Sequence, residues 1–434
     1  MDSRIAVGLM PLSASCADSG LQVAGVSVTD LVAEHGTPLI VYDEAHLRAR
    51  CADVKHAFPD GASYAAKAFL CRSMARLVHD EGLGIDVASG GELAIALAAG
   101  VPAAALTVHG NNKSRAEIEQ ALVAGVSRIV IDSWDDLTRL SDLAAASATT
   151  QRVALRVNPD VAAATHRSIM TGHGASKFGV AIGGGQAATL AARVRTTPYL
   201  ELTGIHVHTG SQISDLSALA GSIGAAAAVA RECQVAELIV GGGLAVAYVE
   251  GDEAPGVAEW GEVAHAAARA SGFVGSILAE PGRTIAAAAA ITVYTIGAVK
   301  HVGNNSIMLA VDGGISDNPR PALYGSRYQP LLVRHPLLPS AVDPAVYSVV
   351  GKNCESSDTF ASDVALSAEP RVGDLVFLPV TGAYTYAMSS NYNGLTRPAV
   401  IMVGSGTSSL IVRREGIDDL LRSDVFALDR AAQH

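Results

Sequence analysis

From about residue 60 to 285 the chain alternates short β-rich runs with Ala- and Leu-rich stretches of helical period. The runs predict strands at Ser63–Ala66, Gly84–Val87, Leu106–Val108, Arg128–Ile131, Arg152–Val157, Thr203–Val207, Glu237–Val240 and Ser276–Ala279. Helical segments such as Ser89–Ala99, Ser114–Ala124, Gln186–Val194 and Val257–Ala270 lie between them. Strands that alternate with helices line up in parallel, and eight of them is the count of a (β/α)8 TIM barrel. The strand ends narrow the reading further. Lys67, Asp86, His109, Asp132, Arg156 with Asn158, His208, Gly241–Gly243, and Glu280 with Arg283 each stand at or just past the C-terminal end of a run. In this barrel that face holds the active site. Loop filler would bring Ser, Thr and Lys there as often as His, Asp and Arg, and it does not.

After residue 285 the texture changes to Val-rich alternating runs at Ile291–Val299, Ser306–Val311, Val346–Val350, Asp374–Val380, Ala399–Val403 and Leu410–Val412, with Gly, Pro and Asn between them. That predicts an antiparallel β-barrel or sandwich domain. A β-like piece at Leu21–Val28 can join it. The expected division is residues 1–36 as a segment joining the β-domain, 37–284 as the α/β barrel and 285–434 as the β-domain. A length of 434 residues fits two such units.

The net charge of −11 and the absence of any basic run argue against nucleic acid or an anionic membrane as partner. No apolar run is long enough to span a bilayer. Ile5 to Leu12 is apolar and precedes Cys16, but Asp2 and Arg4 cancel, so the positive start of a secretion signal is missing. The five cysteines are scattered without CxxC spacing, which points to reduced thiols in a cytoplasm and to no metal site.

Lys67 closes Ser63-Tyr-Ala-Ala-Lys67. At an apolar barrel mouth, desolvation favours a neutral, nucleophilic amine; a lone lysine more often snorkels to solvent. The loops after the seventh and eighth strands tip that balance. Gly241–Gly243 and Glu280-Pro-Gly282-Arg283 stand where this barrel usually binds phosphate, with bare backbone N–H groups. A glycine triplet alone is more often a tight turn. Glu280 is suited to pair with a protonated pyridine nitrogen. His208 is placed to stack on a ring and Ser211 to donate to phosphate, although His206 shares the strand parity of His208 and leaves that choice open. A further cluster, Gly351-Lys-Asn-Cys354-Glu355-Ser-Ser-Asp358 and Gly382-Ala-Tyr384 through Asn393, falls in the expected β-domain. Free cysteines usually serve as small buried hydrophobes, but the flanking acids argue for an exposed turn.

Together these residues resemble the fold type III pyridoxal-phosphate (PLP) decarboxylases, and among them the diaminopimelate decarboxylases most closely. The resemblance runs from about Thr37 to Met402. It rests on Tyr64-Ala-Ala-Lys67, His109-Gly-Asn-Asn-Lys113, Ser176-Lys-Phe-Gly179, His206-Val-His208-Thr-Gly-Ser211, Glu280-Pro-Gly-Arg283, Asp312-Gly-Gly314, Arg320-Pro-Ala-Leu-Tyr324, Cys354-Glu355-Ser and Met388-Ser-Ser-Asn-Tyr-Asn393. The resemblance implies decarboxylation of meso-diaminopimelate to L-lysine. It further implies that Lys67 holds PLP covalently and that His208 stacks on the ring. Asp86 and Glu280 would serve the cofactor, with Glu280 on the pyridine nitrogen, while Ser211, Gly241, Gly242, Gly243, Gly282 and Arg283 would serve the phosphate side. Arg283, Arg320, Tyr324, Glu355 and Tyr384 would contact substrate, Tyr384 also touching the cofactor. Cys354 would be the proton donor, reaching the other subunit's site in a homodimer.

Ser357 stands where the family usually has glycine, and if that turn needs φ > 0 it costs roughly 1 kcal/mol. Leu395-Thr396 replaces a more polar pair. An alanine-racemase-like enzyme would need a second base and would lack the Cys-Glu-Ser loop. A non-catalytic relative should have lost Lys67 or Cys354. The nearest rival is a decarboxylase of the same fold acting on ornithine, arginine or a specialised-metabolism intermediate.

Overall fold

A computed structural model describes residues 8–17, 20–159, 176–302, 306–336 and 345–425. The chain forms two compact units. One is built from Glu44–Ala289 with Gly382–Ala387, the other from the chain up to Asp43, Ala290–Thr381 and the chain from Met388 on.

The first unit carries eight parallel strands: β1 (Ser63–Ala65), β2 (Gly84–Val87), β3 (Leu106–Val108), β4 (Arg128–Ile131), β5 (Gln151–Asn158), β6 (Leu200–Val207), β7 (Glu237–Ile239) and β8 (Ser276–Leu278). Each pairs with its sequence neighbours in order. A parallel bridge between Ala62 and Ala279, with Ser63 N–H donating to the Ala279 carbonyl at 2.9 Å, joins the two ends. The expected barrel is therefore present, with boundaries within a few residues of the sequence reading. The strands are buried on both faces, which is why they read as short continuous apolar runs. Inside, Val130 of β4, Ala154 of β5 and Ile239 of β7 pack with Leu278 of β8.

The helices start where the sequence provides caps. Ser89, Ser114 and Ser133 each accept a hydrogen bond from the backbone N–H three residues on, and Glu117 completes a capping box with Ser114. One buried ion pair ties the third and fourth units of the barrel together. Lys113 Nζ lies 2.6 Å from Asp136 and also donates to the carbonyls of Gly110 and Val130. Every donor of that ammonium finds an acceptor, the condition under which a buried charge is tolerated.

The second unit corrects the expectation of a purely antiparallel β-domain. Its main sheet is mixed, because Ser306–Val311 pairs in parallel with Val346–Val350, and Leu39–Asp43 in parallel with Ala399–Gly404. Sheet order runs Thr359–Ala365, Val346–Val350, Ser306–Val311, Ala290–Val302, Leu39–Asp43, Ala399–Gly404 and Thr407–Val412. Leu39–Asp43 was expected inside the barrel segment that begins at 37. Its five residues are all buried, and they enter this sheet against Ala290–Val293 instead. The compact units accordingly divide at 43/44 and 289/290, rather than at 36/37 and 284/285. Ala14–Ala17, Gly20–Val23 and Val26–Ser27 make a separate three-stranded sheet, which reaches the rest of its unit where Leu21 N–H donates to the Val333 carbonyl. The apolar start at Ile5 lies partly outside the described residues, as do Asp2 and Arg4. No helix among the described residues is long and apolar enough to cross a membrane.

Candidate active site

The C-terminal strand ends of the barrel unit enclose a cavity of about 990 Å³, its open mouth included. Lys67, Asp86, His208, Ser211, Gly242, Gly243, Glu280, Gly282, Arg283 and Tyr384 all line it. So do Glu92, His109, Arg156, Phe178 and His206. Gly241 lies just behind, at φ +63°. A Cβ there would lie 2.8 Å from the Val207 carbonyl oxygen, and one on Gly242 2.6 Å from that of Glu280. The triplet thus lets two loops close on each other, with the Glu280 N–H donating to the Gly241 carbonyl at 2.6 Å.

Lys67 sits in a single 3-10 turn, Ala66–Ala68, directly after β1. Its side chain is exposed in the cavity mouth, not buried in apolar surroundings as the sequence pattern implied. The turn carries it past the strand's end into a region lined by acids and histidines.

Glu280 is the electrostatic centre. Its side chain is 10% exposed, with His206 Nε2 3.0 Å from one oxygen and His109 Nε2 3.2 Å from the other. The contact with His206 is a hydrogen bond; that with His109 is a close charge contact off hydrogen-bond alignment. Asp86 lies 3.8 Å from the same His109 nitrogen. Burial alone would raise the Glu280 carboxyl, but His109 and then His206 hold it well below the usual carboxylate range. Burial works against charge on His109 too, yet Glu280 and Asp86 together raise it to about 9. Burial keeps His206 neutral, down to about 4. Asp86 is pushed up to about 7, by burial first and the Glu280 charge second. Donor atoms of His109, His206 and Glu280 lie within 4.8 Å of one another. His109 lies between two acids and His206 bonds one of them, so these side chains form a buried ion-pair cluster.

His208 is likewise a neutral ring. Burial, then the charges of Lys67 and Arg156, hold it well below the usual histidine range, and its Nδ1 accepts from the Gly242 N–H at 3.3 Å. The two histidines left open by strand parity therefore divide: His206 faces Glu280 and His208 faces the glycine loop. At the same end Arg283 donates to Ser211 Oγ at 3.0 Å and to the Tyr248 hydroxyl at 2.5 Å. Its guanidinium lies 4.6 Å from the Tyr384 ring centroid. Tyr384 is fixed in turn at φ +60°, its N–H donating to the Ala68 carbonyl beside Lys67.

The β unit holds the remaining expected residues. Cys354 and Glu355 are exposed in a loop organised by buried Asp358, which accepts from the N–H groups of Asn353 and Ile315, both at 2.8 Å. The Cys354 N–H donates to Asn393 Oδ1 at 2.8 Å. Gly314 and Gly351 are required here, since a Cβ on either would collide with the Asp358 carboxylate. Ser357 is not among the residues with positive φ, so the strain expected of a serine in that turn does not arise. Arg320 is buried, its Nη1 donating to the Tyr328 hydroxyl at 2.6 Å, and Tyr324 ends the same short helix.

Sequence reasoning flagged His109 and Arg156 at strand ends but gave them no task. Phe178 lay within a quoted motif. Tyr248, in a loop with no periodicity, carried no signal.

The barrel segment, residues 44–287, matches the model of the pyridoxal-dependent decarboxylase family's pyridoxal binding domain. The chain belongs to that family. A curated diaminopimelate decarboxylase of Mycobacterium tuberculosis is 42% identical, covering 93% of this chain and 94% of the relative. Two solved structures are similar over almost the whole chain. Diaminopimelate decarboxylase from M. jannaschii in co-complex with L-lysine has a TM-score of 0.88 at 27% identity, covering 96% of this chain and 98% of that one. The Helicobacter pylori enzyme complexed with L-lysine has a TM-score of 0.84 at 30% identity, covering 91% and 98%. The cavity suits the family's cofactor in kind. It offers a primary amine, an ionised carboxylate to match a protonated pyridine nitrogen, and a guanidinium, a hydroxyl and glycine backbone for phosphate.

The raised His109 has a consequence for stability. Its contribution is fully present below about pH 6.5, the unfolded value, and is lost as pH rises through about 9. Asp86 titrates near 7, inside that window, so the part above pH 8 reports on His109. The urea midpoint should therefore fall between pH 8 and pH 10, and fall less in His109→Asn. Parallel curves for the two proteins would show that His109 carries no such charge.

Proposed function

We propose that this chain is a PLP-dependent diaminopimelate decarboxylase, which releases CO2 from the D-centre of meso-2,6-diaminopimelate and leaves L-lysine. The 42% identity to diaminopimelate decarboxylases across 93% of the chain carries the reading. The cavity supports it with residues suited to each task. Lys67 would hold the cofactor through its amine. When bound, PLP takes up the electron pair left as CO2 departs. Glu280 stays ionised and holds the pyridine nitrogen's proton in place, with Asp86 beside it. His208 lies against the ring as a neutral imidazole. Ser211, Arg283 and the Gly241–Gly243 and Gly282 backbone receive the phosphate, and Tyr384 packs on Arg283.

Diaminopimelate carries an ammonium and a carboxylate at its far end. An arginine fork matches the carboxylate and a carboxylate side chain takes the ammonium. Arg283 and Arg320 are the candidates for the first role, Glu355 for the second, with Tyr324 alongside. Ornithine, arginine and free lysine lack the distal carboxylate and forgo the charge-assisted pair with that fork, a loss on the order of 2–5 kcal/mol. Purified protein reconstituted with PLP should thus release CO2 from meso-diaminopimelate at least tenfold faster than from ornithine, arginine or lysine. Preference for any of those three would overturn the substrate assignment.

The same reading makes Cys354 the donor of the proton to the α-carbon and makes the active unit a homodimer, in which each exposed Cys354 loop completes the partner's site. Five free thiols and a small-molecule amino-acid substrate support a cytoplasmic setting. Lys67→Ala and Cys354→Ala chains, each inactive, should regain up to about one quarter of wild-type activity on mixing. In a random mixture half the dimers are hybrids, and one of the two sites in each is intact. No recovery after verified subunit exchange would show that each site is built from one chain.

A further inference from the structure

Glu280 is flanked by two histidines, and the reading of this site as a PLP pocket gives work to the carboxylate alone. The histidines differ in what stands behind them. His206 is 2% exposed on β6, donates a hydrogen bond to one oxygen and faces no second acid at ion-pair distance among the described residues. His109, just after β3, stands between two carboxylates, Glu280 at 3.2 Å and Asp86 at 3.8 Å. The rings meet edge to face with centroids 5.1 Å apart.

We propose that His109 is a positioning residue for the cofactor's pyridine nitrogen: as a cation clamped between Asp86 and Glu280, it keeps Glu280 a weak base, so that the proton shared between carboxylate and ring nitrogen rests on the nitrogen. The reasoning is electrostatic. A cation against a carboxylate oxygen stabilises the ionised form and lowers its affinity for a proton. The other partner at ion-pair distance from Glu280 among the described residues is His206, which is neutral, while Arg156 adds positive charge from farther away. The raised titration of His109 agrees with the geometry. A neutral residue at 109 would return proton affinity to Glu280 and leave the ring nitrogen short of its proton, weakening the electron sink.

The inference rests on the PLP reading, and the test separates the two. Holoenzyme is prepared with PLP labelled with nitrogen-15 in the ring, and covalent loading on Lys67 is checked by borohydride reduction. If no cofactor is fixed, the PLP reading itself fails. In loaded enzyme, the ring-nitrogen resonance should sit at the protonated position in wild type at pH 7 and move toward the neutral-pyridine position in His109→Gln. The charged variant His109→Lys should restore at least half of the difference. The value of kcat in His109→Gln should fall about 10–100-fold, as for other groups that orient a ligating side chain, with KM within about twofold. Should the variants fail to fold, wild type decides alone: its resonance should move toward neutral pyridine as pH rises through about 9. Asp86, Glu92, His206 and Glu280 face His109 in that titration; Asp86, near 7, and Glu280, held low, are already ionised above pH 8. A resonance unmoved in folded, loaded His109→Gln, or flat in wild type to pH 10.5, would overturn the proposal.

Discussion

A carboxylate held almost out of water at the closing seam of the barrel governs the arrangement around it. Glu280 follows β8, where an unpaired buried charge would cost several kcal/mol. Two histidines from other strands offset that cost, and their positions then constrain the neighbourhood. His206 must point inward from β6, and His109 must be brought over from the end of β3. The backbone of Glu280 is fixed as well, its N–H meeting the Gly241 carbonyl, so the glycine loop after β7 has to lie against the Glu280 loop. Lys113 and Asp136 hold the base of the His109 loop from below, tying Gly110 to Val130. One buried charge thus sets the relation of β6 to the loops after β3, β7 and β8.

The β unit solves a similar problem in a different place. Buried Asp358 accepts from Asn353 and Ile315 and is enclosed by two glycines, and the loop it stabilises presents Cys354 and Glu355 on the surface. Exposure of a cysteine and a glutamate on so well-anchored a loop fits a reactive thiol, since a structural cysteine is normally buried. The residues that anchor the loop explain three of the motifs in this half of the chain. Asp312-Gly-Gly314 supplies the close approach, Asp358 the acceptor, and Asn393, itself at φ +58°, the side chain that fixes the Cys354 backbone.

Much of this was legible in the sequence for physical reasons. Parallel strands buried on both faces leave short apolar runs, and serine caps mark the helix starts, so all eight strands fell within a few residues of their positions. The polar register at strand ends located Glu280, His208, Asp86 and Arg283 because the fold offers few other places for such groups. What escaped was set by long-range pairing. Leu39–Asp43 is as apolar as a barrel strand, and only its partners Ala290–Val293 and Ala399–Val403 place it in the other unit. Parallel pairing of Ser306–Val311 with Val346–Val350 leaves no local signature that alternation could reveal. Lys67 looked as if it should be buried, because the 3-10 turn that carries it outward is invisible in Tyr-Ala-Ala-Lys-Ala. The tasks of His109 and Tyr248 depend on partners far along the chain, Glu280 and Arg283, and no spacing rule connects them.

Under the proposed function, the ionised Glu280 is the group that lets the bound cofactor act as an electron sink. Replacing Glu280 by Gln keeps its size and a hydrogen-bonding end, but a neutral amide cannot hold a pyridinium proton. The decisive measurement is turnover of meso-diaminopimelate by Glu280→Gln enzyme whose PLP content has been verified. We expect PLP to remain bound and kcat to fall by about 100-fold or more, the scale seen when a charge-stabilising group is removed from an active site. Near-normal turnover with full cofactor loading would contradict the claim and show that another group holds the ring nitrogen.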